Sequence, residues 1–165
     1  MAMLAKLRLW NPPRLVVDKQ DWLAGVDILR RRAAGIRESG AFLLGRQDSE
    51  TASIEKFVFY DDLDPGCLLY GAIQFDGRKL GLLWNICREL GLKVVADIHV
   101  HPGGFMQSSI DRENPMIPNT GHLALILPDY ALKGVFPGEI GIYEYCGRKI
   151  WRDHSARGKA MMRVK

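Results

Sequence analysis

The segment KVVADIHVH, residues 93–101, alternates with a period of two. That period belongs to a β-strand, where successive side chains point to opposite faces. It places Val94, Ala96, Ile98 and Val100 on one wholly apolar face, and Val95, Asp97, His99 and His101 on the other. Pro102 removes a backbone donor and helps to end the strand, so His101 falls at its C-terminal rim. A strand with one apolar face has to bury it against other elements.

Two helices are predicted. In DWLAGVDILRRRAAG, Trp22, Val26, Leu29 and Ala33 form one apolar stripe, with Gly35 as a C-terminal stop. RKLGLLWNICRELG repeats the pattern with Leu80, Leu83, Trp84, Cys87 and Leu90, closing at Gly91. Six segments rich in β-branched and aromatic residues read as strands: AFLLGR, SIEKFVFY, KVVADIHVH, HLALILP, EIGIYEYCG and KIWRD. The expected fold is α/β or α+β, a mixed sheet of about six strands flanked by two main helices. With 165 residues, 47% of them hydrophobic, and neither repeats nor a linker, the chain predicts one domain over 1–165, its last stretch from about 155 a solvated basic tail.

Several functional classes drop out. No apolar run is long enough to cross a bilayer, so no membrane partner is expected. The N-terminal MAMLAKLRLWNPPRLVV lacks the apolar core and small-residue cleavage site of a secretion signal, which leaves a cytoplasmic location as the expectation. Cys67, Cys87 and Cys146 are widely spaced and odd in number, fitting free, mostly buried thiols better than disulfides or a paired metal site. The net charge of +4 sits largely in Arg30 to Arg32, where it complements a helix dipole, and in the basic tail. Nucleic acid is therefore not the expected partner.

The polar face of the histidine strand carries the chemistry. Cβ atoms two residues apart on a strand are roughly 7 Å apart, near enough for His99 and His101 to converge on one ion. After a flexible PGG turn come Ser108 and Asp111, completing H-x-H-x6-S-x-x-D. Two imidazole nitrogens and a carboxylate oxygen suit catalytic zinc, with the fourth tetrahedral position left to water. The plain alternatives are a surface histidine pair, a turn built by SSID and a loop aspartate capping it. Asp97 faces either the histidines or solvent and is left out of the site. His122, at the start of an apolar strand, reads as a satisfied histidine near the core, and His154 as an exposed one.

This arrangement resembles the JAB/MPN superfamily of metallopeptidases, whose JAMM motif joins an upstream glutamate to H-x-H-P and S-x-x-D. The glutamate precedes a short apolar strand ending in glycine, and ESGAFLLG supplies Glu38 seven residues before Gly45, with Ala41 where the family has an inner glycine. The loop between His101 and Ser108 is one residue shorter than usual, so adjacent Ser109 is kept as an alternative to Ser108. The resemblance, closest to compact prokaryotic members, implies a cytidine-deaminase-like fold and one Zn2+ per chain on His99, His101 and Asp111. It further implies that Glu38 is the general base and Ser108 the donor to the oxyanion.

The implied activity is that of a deubiquitinase-like isopeptidase, acting after the C-terminal glycine of a ubiquitin-like protein or its conjugates. Activating and conjugating enzymes are implied as associates, and antiviral defence as a setting. Release of a sulfur-carrier protein in small-molecule biosynthesis would use the same chemistry. A metal-free scaffold that only binds partners is the non-catalytic alternative. A barrel-type amidohydrolase, which also begins with H-x-H, needs about 250 residues and is excluded by length.

Overall fold

The computed structural model describes residues 11–165, so the first ten residues of the segment weighed as a secretion signal lie outside it. Its strands are β1 (Leu15–Val17), β2 (Gly40–Asp48), β3 (Thr51–Phe59), β4 (Lys93–Val100), β5 (Leu123–Leu127), β6 (Gly141–Tyr145), β7 (Trp151–Asp153) and β8 (Met162–Val164). The helices are α1 (Lys19–Ala33), α2 (Tyr60–Leu63), α3 (Leu80–Leu90), α4 (Ser109–Glu113) and α5 (Gly158–Met161). All eight strands join in one mixed sheet ordered β7-β6-β5-β4-β2-β3-β1-β8. The histidine strand β4 is interior, antiparallel to β2 on one side and parallel to β5 on the other.

The expected sheet of about six strands between two main helices, with the cytidine-deaminase-like outline it implied, is therefore corrected, among the described residues, to eight strands and five α-helices in an α+β arrangement. The six segments read as strands are β2 to β7. The two additions, LVV and MRV, are three residues each, too short to show a period, and exist through pairing: β1 lies parallel to both β3 and β8. This overturns the solvated tail as well. Residues 158–164 form α5 and β8, and Met161 and Met162 are buried.

Helix α1 forms where the stripe predicts it. Asp18 caps its N-terminus, accepting from the amides of Gln20 and Asp21, while Arg30 to Arg32 occupy the last turn. It ends one residue before the expected stop, at Ala34 in the left-handed region (φ 52). Trp22, Val26, Leu29 and Ala33 are all buried against one sheet face with Ala41, Leu43, Ala96, Ile98 and Val100. Helix α3 closes at Gly91 as expected (φ 63). Its buried line is shifted, however: Leu80, Leu83, Ile86 and Cys87 pack inward, while Trp84 and Leu90 are exposed.

The opposite sheet face carries Phe42 and Leu44 beneath α2 and α3, in a second apolar cluster with Tyr60, Leu63 and Leu83. A bulge in β4 divides the two faces differently from strict alternation. Leu43 pairs with Ala96 and Leu44 with Val94, so Val95 is the extra residue. Val95 consequently packs with the α1 cluster and Val94 with the other, the reverse of the expected assignment for these two positions. From Ala96 to His101 the expected faces hold, and the histidines lie on the α2–α3 side.

Candidate metal centre

Three chain segments meet at the C-terminal end of β4. His99 is held in the sheet between Gly40 of β2 and Ile126 of β5. His101, just past the strand, donates its N–H to the Leu127 carbonyl at 2.9 Å and accepts from the Tyr130 N–H at 2.8 Å. Asp111 arrives on α4, whose start is a reciprocal capping box. The Ser108 hydroxyl accepts from the Asp111 N–H at 3.1 Å, and Asp111 Oδ2 accepts from the Ser108 N–H at 2.6 Å and from its hydroxyl at 2.8 Å. The S-x-x-D spacing thus does two jobs: it begins a short helix and holds a carboxylate in place. Trp151 of β7 fastens α4 by donating its indole N–H to the Arg112 carbonyl at 3.2 Å.

His99, His101 and Asp111 each offer one atom to a group within 4.8 Å of one another, and they could hold a metal ion. His99 Nε2 is 2.9 Å from His101 Nε2 and 3.3 Å from Asp111 Oδ1, while His101 Nε2 is 3.2 Å from Asp111 Oδ2. Ligands bound at about 2.0–2.1 Å in a tetrahedron lie about 3.3 Å apart, so the donor set fits an ion of that size. Burial disfavours a charged His99, but Asp111, with Asp97 and Glu38 beyond it, outweighs this and raises its pKa. Burial likewise opposes ionisation of Asp111, yet the two imidazoles and the Ser108 amide hold its pKa far below the usual carboxylate range.

Glu38 lies two residues before β2. Its N–H donates to the Gly71 carbonyl at 2.7 Å, its Oε2 accepts from the Ile73 N–H at 3.3 Å, and its Oε1 stands 3.8 Å from His101 Nε2. The neighbouring Ser39 hydroxyl ties this turn to α1 by donating to the Leu29 carbonyl at 2.7 Å. Glu38, His99, Ser108 and Asp111 all line one cavity of about 340 Å³. Ser109, the first residue of α4, is not among its walls. Every residue assigned to the site from the sequence is thus brought together, although the Ser108 hydroxyl is turned to Asp111.

Two titratable residues of the cavity wall lie outside that assignment, Asp97 and Tyr60. Asp97 shares the histidine face, which was legible; its partner was not. His122 Nε2 lies 2.6 Å from Asp97 Oδ2, and both side chains are buried, so His122 is indeed a satisfied core histidine. Tyr60 carries no comparable signal, because its place depends on the turn from β3 into α2. The expectation for His154 is corrected: its Nε2 is 2.8 Å from Glu144 Oε2 and its side chain is 12% exposed. None of the three free cysteines joins the metal-capable group, and burial, aided by Asp64 and Asp61, pushes the Cys67 thiol up to about 12. Among the described residues no helix is long and apolar enough to cross a membrane.

No family model matches the chain. Among solved structures it is similar to a solution structure of the protein DSY2949 from Desulfitobacterium hafniense, with a TM-score of 0.64 and 15% sequence identity over 92% of both chains. That likeness is one of fold.

Proposed function

We propose that the chain is a zinc-dependent isopeptidase or peptidase that hydrolyses the bond after the C-terminal glycine of a ubiquitin-like protein. The observation that carries the reading is the meeting of Glu38, His99, His101 and Asp111, from three separate segments, beside one cavity. It agrees with the motif resemblance to JAB/MPN metallopeptidases, from which the choice of substrate comes. Two imidazoles and one carboxylate form a set to which zinc is well matched.

When bound, zinc supplies Lewis acidity and makes a water on it acidic enough to ionise near neutral pH. The rest is the work of this chain's residues. His99, His101 and Asp111 would hold the ion, with the Ser108 backbone N–H fixing the carboxylate. Glu38, steadied by the Ile73 N–H at Oε2, has Oε1 free on the cavity side to take a proton from the attacking water and return it to the leaving amine. The Ser108 hydroxyl, rotated away from Asp111, donates to the carbonyl oxygen as charge develops on it. A glycine before the cleaved bond adds no side chain to the crowded space around the imidazoles.

The test uses the purified full chain supplied with zinc and a ubiquitin-like protein extended beyond its terminal glycine. Cleavage after that glycine is expected, lost to a chelator and restored by zinc. Glu38→Gln should keep about one zinc per chain while hydrolysis falls by several orders of magnitude, and His101→Ala should release the metal. A zinc-loaded chain that cleaves no such fusion refutes the reading and leaves a binding scaffold; native rates from Glu38→Gln refute its role as base.

A further inference from the structure

Tyr60 begins α2 with its ring fully buried between aromatic neighbours. Phe42 meets it edge-on at 4.8 Å and Phe75 packs at 5.7 Å. Gly40 leaves the room the ring requires, since a Cβ there would lie 2.3 Å from Tyr60 Cε2 and 2.8 Å from the Ile98 carbonyl oxygen. The ring is therefore locked, and Tyr60 forms part of the wall of the cavity beside the candidate metal centre. Among the described residues its hydroxyl is the one buried side-chain polar atom without a hydrogen-bond partner. A buried donor left unpaired is costly enough that native proteins nearly always satisfy it, so the hydroxyl asks for a ligand.

Asp97 lines the same part of the cavity. Its Oδ2 is engaged by His122, while Oδ1 takes no hydrogen bond from the described residues. Burial, followed by the charge of Asp97, whose carboxylate the hydroxyl faces without closing a full hydrogen bond, raises the phenol well above its ordinary pKa, which keeps the proton on Tyr60. Beside Asp97 on the neighbouring strand stands Ala124, whose single methyl leaves the floor open. Asp97 and His99 are two residues apart on β4, so this floor lies about 6.6 Å along the strand from the metal-capable imidazoles. The rest of the lining mixes apolar Ile73, Phe75, Met116 and Trp151 with the amide side chains of Gln74, Gln107 and Asn114.

A buried donor next to an acceptor complements a neutral group that carries both functions. A carboxylate would be repelled by Asp97, and a cation would leave the Tyr60 proton unmatched. We propose that Tyr60 and Asp97 form a carboxamide-binding subsite, in which the Tyr60 hydroxyl donates to the amide oxygen and Asp97 Oδ1 accepts from the amide N–H. The subsite presupposes that this cavity receives the amide substrate of the proposed hydrolase, and it would hold a peptide unit or an amide side chain next to the cleaved bond.

The test is binding without turnover, so a failure to hydrolyse and a failure of the subsite are separate results. Propionamide is titrated into the isotope-labelled full chain while backbone amide shifts are followed. Saturable shifts are expected at Gly40, Asp97 and Ala124. Tyr60→Phe, which keeps the ring and its packing, should weaken binding about fivefold or more, as loss of one hydrogen bond does. Ala124→Val, which fills the floor while sparing Tyr60, should weaken it by a similar factor. No saturable shift in the native chain, or equal affinity in Tyr60→Phe, would overturn the subsite; equal affinity would mean that the hydroxyl is satisfied by a bridging water alone.

Discussion

Asp111 shows how one carboxylate comes to be oriented. Its Oδ2 accepts twice from Ser108 before it reaches His101 at 3.2 Å, so the serine positions the ligand as well as lining the cavity. Replacing Ser108 with alanine removes both the orienting bond and the proposed oxyanion donor. Hydrolysis should fall by about 10² to 10³, and zinc affinity by about tenfold, measured by steady-state assay and competition with a metal indicator. Ser109→Ala should change neither; if the two variants behave in reverse, Ser109 is the donor. The candidate ligands were legible because H-x-H and S-x-x-D are each local, one set by the strand pleat and the other by the first turn of a helix. Tyr60 was not, since nothing near it in the chain announces an aromatic cage whose parts are Gly40, Phe42 and Phe75.

At the level of single elements, the bulges carry most of what alternation alone misses. In β4 the extra Val95 swaps the faces of Val94 and Val95 and leaves the histidine end in phase. In β2 and β3 the pairing shifts between Leu44 and Gly45, where Leu44 faces Lys56 and Gly45 faces Ile54. The close approach there explains the glycine: a Cβ on Gly45 would lie 1.5 Å from the Ser53 carbonyl oxygen, a backbone atom that cannot rotate aside. Gly45→Ala should therefore destabilise the protein by about 3 kcal/mol, read as a fall in the urea midpoint at unchanged slope. A midpoint within error of the native value would mean that the ladder relaxes freely at the bulge. The motif resemblance marks this glycine, but its physical need is visible only once β3 is laid alongside.

Across the whole molecule, the two ends of the described chain are drawn together. β1 runs beside β8, the Lys19 N–H donates to the Lys165 carbonyl at 2.8 Å, and the Lys165 N–H to the Val17 carbonyl at 3.0 Å. Glu144 on β6 gathers the polar contacts nearby, with Arg14 Nη1 at 3.4 Å from Oε1 and His154 Nε2 at 2.8 Å from Oε2. Burial raises the pKa of Glu144, but His154 and Arg14 prevail and the fold lowers it from 4.5. A carboxylate with a lowered folded pKa contributes its stability in full above the unfolded value and loses it as pH falls through the folded one. Thermal melts should thus place Glu144→Gln a few degrees below the native chain at neutral pH, with the gap closing as pH drops below 4.5. A gap independent of pH would locate the effect in packing instead.

What could be read along the chain was whatever repeats or neighbours itself: the stripe of α1, the pleat of β4 from Ala96 onward, six strand segments and the spacing of the metal-capable side chains. The expected sheet was short by two strands because LVV and MRV have no period of their own and become strands only when LVV pairs with β3 and MRV with LVV. The buried line of α3, the pairing of His122 with Asp97 and the cavity wall at Tyr60 depend likewise on contacts between residues far apart in sequence. Local pattern sets which face of an element is apolar; which neighbour covers that face, and which polar atom is left facing a cavity, is settled by packing among distant segments.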